Sequence, residues 1–305
     1  MERPVNGITG AERLRAWYQA SRPPFYIATV IPLLLGLVLA GNDTGRWLWG
    51  RFLLINLGAF MVHLATNLAD DLFDYILGAD AGESIGGSRV IQQGKITPFQ
   101  IGWALILLYA AAFVVAAILV RLSGQNILWL FVAVAGFSSL FYVAPPVKYG
   151  YRGLGEVMVF LNMGLIMVGG AYLVLAETWR WALIWYSLPV GLMVAGILYY
   201  QSLPDIDTDR RVGKYTLAVR LGKRGSATGF RLNWIAVYAS MIGLWIGGLA
   251  AWPVLGCVLT LPWFTRADRY IHATDDWVEL DRHGHLVRKL YLINGILLVL
   301  GAGLN

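Results

Sequence analysis

Sulfur and imidazole chemistry are nearly absent from this chain, whose 305 residues hold one cysteine and four histidines. The lone Cys257 excludes an internal disulfide, and its place in an apolar run makes it a small buried hydrophobe. His272, His283 and His285 fall in a segment, Arg266 to Lys289, that also holds Arg282, Arg288 and several acids. A solvated loop is therefore favoured there over a His-Gly-His zinc site. Charge is short too: 14% of residues are Asp, Glu, Lys or Arg and 58% are hydrophobic, against roughly 25% and 45–50% in soluble domains. That imbalance excludes an ordinary soluble domain. The net charge of +6 is not a nucleic-acid footprint, because the basic residues follow the spacing of the apolar runs.

Long apolar runs are what the chain has in abundance. Judged against the ~20 residues needed to cross a bilayer, candidate spans begin near Pro24, Phe52, Ile101, Asn126, Leu154, Trp181, Asn233, Trp252 and Tyr291. The expected fold is all-α, a polytopic membrane protein of nine transmembrane helices, with a short eighth from Trp252 to Phe264. Residues 1–23 have no short apolar core before a small-residue cleavage site and read as an interfacial segment carrying Arg13, Arg15, Trp17 and Tyr18. With the N-terminus in the cytoplasm, Arg46, Arg51, Arg121 and Arg180 alone of the 24 Lys and Arg fall outside. The positive-inside rule thus orients the chain in the cytoplasmic membrane, with its polar loops inside.

Two of those loops open with acids. The apolar run from Phe52 ends in Asp70-Asp71-Leu72-Phe73-Asp74, and the run from Val190 ends in Pro204-Asp205-Ile206-Asp207-Thr208-Asp209. Asp70 and Asp74 share a helix face, as do Asp205 and Asp209. Carboxylates so close together, beside lipid, need a compensating cation. Two such pairs facing each other supply the hard oxygen ligands that Mg²⁺ takes, with substrate phosphate completing its shell.

Basic, glycine-bearing segments follow both acidic stretches. Arg89 and Lys95, between Gly78 and Pro98, either reach back toward a phosphate or only set topology. Arg210 to Arg224, including Lys214, has the pattern of a short amphipathic helix over the site, and its charge attracts a polyanion. Between the fourth and fifth spans, Pro145-Pro146 breaks the helix, and Lys148 and Arg152 gather with Tyr142, Tyr149 and Tyr151 at the same face. Arg152 and Glu156, four apart, can also pair with each other. The repetition of helix, acidic end and basic loop divides a single domain, residues 1–305, into diverged halves of roughly 24–150 and 151–305. His63, two to three turns before the acids, either bonds in the core or lines a cavity, and Asn162 is expected to bond across helices.

Acidic clusters and a basic rim at the mouth of an apolar bundle fit a diphosphate head on a long hydrocarbon tail. Cations there stabilise a departing diphosphate, and rings such as Phe73, Tyr142 or Tyr199 shield a carbocation with their π faces. At these residues the chain resembles the UbiA superfamily of intramembrane prenyltransferases, most closely its 1,4-dihydroxy-2-naphthoate branch. Asp70 to Asp80 looks like the branch's first Asn-Asp-x-x-Asp-x-x-x-Gly-x-Asp motif, and Ser88-Arg89-Val90 with Gln93 to Thr97 resembles the loop after it. Tyr151 to Val157, and Asp205 to Arg210 with Gly213 to Arg220, resemble its other signatures. Asp70 stands where the family usually has Asn, Gln201 where it often has another Asn, and Leu203-Pro204 replaces a common Leu/Val-Arg.

The resemblance implies nine helices around a central cavity under a cytoplasmic cap. It implies Asp70, Asp74, Asp205 and Asp209 as the catalytic carboxylates that bind Mg²⁺, with Asp71 and Asp80 supporting them. Arg89, Lys95, Lys148, Arg152 and Lys214 would contact the diphosphate. Asn67, His63, Tyr142 and Gln201 are expected at the acceptor side of the cavity. The implied reaction moves a polyprenyl group from its diphosphate to an aromatic acceptor, 1,4-dihydroxy-2-naphthoate in menaquinone biosynthesis, with the bilayer as the other partner and no obligate protein partner. The same chemistry on 4-hydroxybenzoate, a glycerol-phosphate lipid or a tetrapyrrole is the alternative. A cation-coupled secondary transporter is the competing class, but its acids belong near the bilayer midplane rather than at helix ends.

Overall fold

The computed structural model describes residues 9–79, 86–274 and 276–305. Asp80 lies outside the described residues. Regular structure among the described residues is helical throughout. Helix α1, Gly10–Ser21, begins at a capping box in which Thr9 and Glu12 satisfy each other's free backbone donors, and stops where Arg22 turns left-handed at φ 51°. Then come α2 (Ile27–Thr44), α3 (Trp49–Leu77), α4 (Pro98–Ser123) and α5 (Leu128–Phe141). Helix α6, Gly155–Ala176, widens to π turns over Phe160–Ile166. It is followed by α7 (Ala182–Ser202), α8 (Ile206–Arg211), α9 (Leu217–Ile246), α10 (Leu261–Ala273) and α11 (Gly284–Gly303).

Six helices among the described residues are long and apolar enough to cross a membrane: α2, α3, α4, α6, α7 and the stretch Trp277–Gly303 that contains α11. The fourth expected span is α5, whose 14 mostly apolar residues fall short of the ~20 that span a bilayer upright. The seventh is contained in α9, which starts early, at Leu217, because Thr216 caps a first short helix. Gly222, at φ 66° and ψ 174°, then breaks the helix before it continues, a conformation open to glycine at little cost. The eighth is divided between the 3₁₀ turns of Trp252–Thr260 and α10.

The helices close on one another through small residues. A Cβ on Gly36 of α2 would stand 2.7 Å from the Ala171 Cβ of α6, so that crossing has room for glycine alone. The main core joins α2, α6, α7, α9 and α11. A smaller one, with Ala20, Leu68, Leu72, Val90 and Ile101, presses α1 and the segment after residue 86 against the end of α3. At the other end of α3, Arg51 staples three helices, donating to the carbonyls of Val174 (3.1 Å) and Leu122 (2.6 Å) and to Glu177 (2.5 Å).

Candidate active site

The last turns of α3 and the short α8 meet at the same end of the bundle. Asp74, buried on α3, accepts from the Tyr151 hydroxyl at 2.6 Å and from Lys214 Nζ at 2.7 Å. Lys214 also lies 3.9 Å from Asp209 of α8, so one ammonium ties the two acidic stretches together. Its seat follows from local structure, because the Lys214 amide caps α8 on the Asp209 carbonyl and Tyr215 donates its amide to Tyr151. Burial works against the charge of Lys214, yet Asp74, Asp209 and Asp70 together hold it well above the ordinary lysine range. Burial also pushes the Asp209 carboxyl up to about 7, with Lys214 pulling the other way. Burial and the bond to Asp74 raise the Tyr151 phenol, so Tyr151 donates and keeps its proton.

Asp70 and Asp71 face a second cation. Arg22 pairs with Asp70 at 3.0 Å and donates to Asp71. Asp71 also accepts from the Ser88 amide at 2.9 Å and from the Ser88 hydroxyl. Both its oxygens are thereby engaged, and Asp71 serves to anchor Arg22 and the chain around Ser88. Around this pair α1 is tied down: Gln19 donates to the Ser88 carbonyl at 2.7 Å, Lys95 to Gln19 at 3.2 Å and Asn67 to the Ser21 carbonyl at 3.2 Å.

Other expected residues are distributed as follows. Asp205 begins α8 and accepts from the Thr208 hydroxyl at 3.2 Å. Lys148 lies over the Tyr151 ring at 5.0 Å from its centroid, and Lys214 at 5.3 Å. Arg89 follows Ser88 in a left-handed conformation, φ 60°. Arg152 donates to the Pro146 carbonyl at 3.2 Å rather than pairing with Glu156. Asn67, His63, Tyr142 and Gln201 line one cavity together with Asp70 and Arg22. His63 shares a 2.6 Å hydrogen bond with Thr29 of α2. Asn162 lines that cavity too, but donates to Met158 one turn back in its own helix, at 2.7 Å.

The cavity has a volume of about 710 Å³ and runs from this polar mouth down among α3, α4, α5 and α6. Among the described residues no three carboxylate, histidine or cysteine groups converge as a metal cage. The donor set nevertheless suits Mg²⁺: hard oxygens from two elements gathered around one ammonium that stands in for a cation. Sequence reasoning misses Arg22, which binds two of the three carboxylates of the first acidic stretch. Its place beside Pro23-Pro24 marks a charge at a helix entrance but does not tell a topology signal from a carboxylate partner.

A helical bundle in a membrane, with paired acids and bound cations over a deep apolar cavity, defines a class of protein that handles an anionic head on an oily body. The chain belongs to the UbiA prenyltransferase family, whose model it matches over residues 29–279, and it is an enzyme of that kind. It is 34% identical to a 1,4-dihydroxy-2-naphthoate octaprenyltransferase of Haemophilus influenzae over 69% of this chain and 70% of that one. It is 27% identical to a 2-carboxy-1,4-naphthoquinone phytyltransferase of Synechocystis over 98% and 97%. In fold it is similar to a UbiA homologue of Archaeoglobus fulgidus bound to GPP and Mg²⁺, with a TM-score of 0.62 at 12% identity, covering 93% of this chain and 99% of that one.

Proposed function

We propose that this protein transfers a polyprenyl group from a polyprenyl diphosphate to 1,4-dihydroxy-2-naphthoate, a step of menaquinone biosynthesis. The observation that carries the reading is the meeting of Asp74 and Asp209 across Lys214, one helical turn from Asp70, which with Arg22 lines the polar end of an apolar cavity of about 710 Å³. The acceptor is supported by the names of two relatives, a 1,4-dihydroxy-2-naphthoate octaprenyltransferase and a 2-carboxy-1,4-naphthoquinone phytyltransferase. In this reading the chain crosses the membrane nine times, α5, the later part of α9 and the segment through α10 completing the six long spans, and the acids open to the cytoplasm.

Asp70, Asp74, Asp205 and Asp209 would hold Mg²⁺, which when bound supplies positive charge to a departing diphosphate. Lys214, freed from its carboxylates, turns to the diphosphate, Arg22 stays anchored on Asp71 and offers the diphosphate the nitrogen released by Asp70, and Lys148 and Arg89 flank it. Tyr142, at the cavity mouth, presents a π face to the allylic cation and excludes water from it. Asn67, His63 and Gln201 border the space left for the acceptor.

The test is to give purified protein, in vesicles with Mg²⁺, a labelled polyprenyl diphosphate and a panel of dihydroxynaphthoate, hydroxybenzoate, a glycerol-phosphate lipid and a tetrapyrrole. A product with dihydroxynaphthoate alone is expected. Product with another acceptor only would reassign the substrate, and no product with any, beside an active relative, would reject the reading.

A further inference from the structure

Buried polar atoms without partners are rare in folded proteins, and each calls for a physical reason. Among the described residues five side-chain atoms are buried and unpartnered, and three of them belong to residues that line the central cavity: Arg22 Nε, Ser138 Oγ and Asn162 Oδ1. Arg22 is part of the charged mouth. Ser138 and Asn162 lie deeper, in a largely apolar wall, and a hydrocarbon tail can satisfy neither.

Both are held in place by their other polar groups. The Asn162 amide nitrogen donates to the Met158 carbonyl at 2.7 Å. A carbonyl only accepts, so the nitrogen must face it and the amide oxygen is the half left over. Asn162 sits on the π turns of Phe160–Ile166, a widening that often marks a functional site. The Ser138 carbonyl accepts from the Tyr149 hydroxyl at 2.7 Å, which fixes the backbone that carries the free Oγ. Nearby hydroxyls do pair with one another: Ser139 bonds Thr66 at 2.6 Å and Tyr109 at 2.7 Å. Ser138 stays outside that network.

The depth of the pair matches the reacting carbon. Thr66, bonded to Ser139, stands four residues before Asp70, ~6 Å along α3. The first carbon of a prenyl chain whose diphosphate rests at Asp70 arrives at that level. Ser138 is likewise four residues, ~6 Å, before Tyr142. Asn162 is seven residues, ~10 Å, beyond Gly155, where an added Cβ would touch the Tyr142 ring at 3.2 Å. The two free oxygens are therefore offset by about 4 Å along the bundle, on elements packed against each other. An acidic aromatic ring fits such a pair in one sense. Its carboxylate stays with the cations of the mouth, since burying it among apolar side chains is costly, and the hydroxyl across the ring reaches down.

Resting on the function proposed above, we propose that Ser138 and Asn162 bind the acceptor. Asn162 Oδ1 accepts from the 4-hydroxyl of 1,4-dihydroxy-2-naphthoate, and Ser138 Oγ bonds the 1-hydroxyl, nearer the mouth. The two residues orient the ring beneath the diphosphate and select acceptors with a hydroxyl on the deep edge.

Two readouts test this. Binding of 1,4-dihydroxy-2-naphthoate, and of 1-hydroxy-2-naphthoate, which lacks the 4-hydroxyl, is followed by quenching of tryptophan fluorescence in the purified protein, without turnover. The native chain should hold the dihydroxy compound about tenfold more tightly, the scale of one hydrogen bond. Asn162→Leu should bring that ratio to within about twofold by weakening the dihydroxy compound alone. Ser138→Ala should weaken both compounds about fivefold and keep the ratio. In turnover, both variants should raise KM for the acceptor and leave KM for the prenyl diphosphate within about twofold. Ser138→Ala should melt no lower than the native chain, because the hydroxyl it removes has no partner, whereas a structural role would lower the transition. A ratio unchanged in Asn162→Leu, or acceptor binding unchanged in Ser138→Ala, would overturn the proposal and leave the two oxygens to ordered water. If Asn162→Leu does not fold, Ser138→Ala decides alone: weaker binding of both naphthoates with an unchanged prenyl diphosphate KM upholds the site, and unchanged binding refutes it. Failure of the native chain to bind or use dihydroxynaphthoate would instead remove the proposed function, and this site with it.

Discussion

Asp74 receives two hydrogen bonds at once, from Tyr151 and Lys214, and Lys214 is shared with Asp209. These contacts neutralise the acids, yet they involve the oxygens a metal would need. Asp74→Asn keeps the shape and the bond from Tyr151 while deleting the charge. It is expected to lower turnover by about 100-fold or more, the scale seen when one transition-state charge contact is lost. Asp209→Asn should do the same. Both variants should stay folded with a lowered melting temperature, because each takes one partner from the buried Lys214 while the remaining acids still hold its charge. Near-normal turnover in both would mean that the metal is held elsewhere. The acids themselves are legible in the sequence, since carboxylates at the end of an apolar run cost too much to be incidental. Arg22 is not. A charge next to a proline pair looks the same whether it sets topology or binds two carboxylates 48 and 49 residues away, and only folding brings Asp70 and Asp71 to it.

At the scale of elements, α1 behaves as a strap. Its cap residue Arg22 grips Asp70 and Asp71, its Gln19 holds both the Ser88 carbonyl and Lys95, and its Ser21 carbonyl accepts from Asn67. Arg22→Ala leaves Asp71 buried without its cation, and breaking a buried pair in this way costs about 3–5 kcal/mol. The melting temperature should fall accordingly. Adding Asp71→Asn to Arg22→Ala should return a good part of the loss, because the stranded charge is gone, and the two changes should be strongly non-additive. A double variant no more stable than Arg22→Ala would place the strap's grip in its apolar face instead. Apolar length makes α2, α3, α4, α6 and α7 readable to within a few residues. Pattern cannot place the start of α9, since the Gly222 break lies inside a basic stretch whose path is set by the Thr216 cap and the Tyr215–Tyr151 backbone bond. Nor can it show that α6 widens at Phe160–Ile166, which turns Asn162 back onto its own helix.

For the whole molecule, both acidic stretches lie at one end of the bundle, and the proposed function, with the positive-inside rule, expects that end in the cytoplasm. The chain is well suited to a labelling test, because its one native thiol, Cys257, is fully buried. Replacing it with Ala gives a silent background. Asp207, exposed beside the acids, and Arg46, exposed in the turn after α2, then mark the two ends. Their surface ion pairs, to Lys223 and Glu177, are of the kind that contribute under about 1 kcal/mol, so Asp207→Cys and Arg46→Cys should leave the fold intact. In intact cells a membrane-impermeant maleimide should label the Arg46 variant and miss the Asp207 variant. In inverted vesicles the pattern should reverse. The opposite result in both preparations would put the acids outside, where no cytoplasmic pool of prenyl diphosphate could reach them, and the proposed reaction would have to be abandoned together with the orientation.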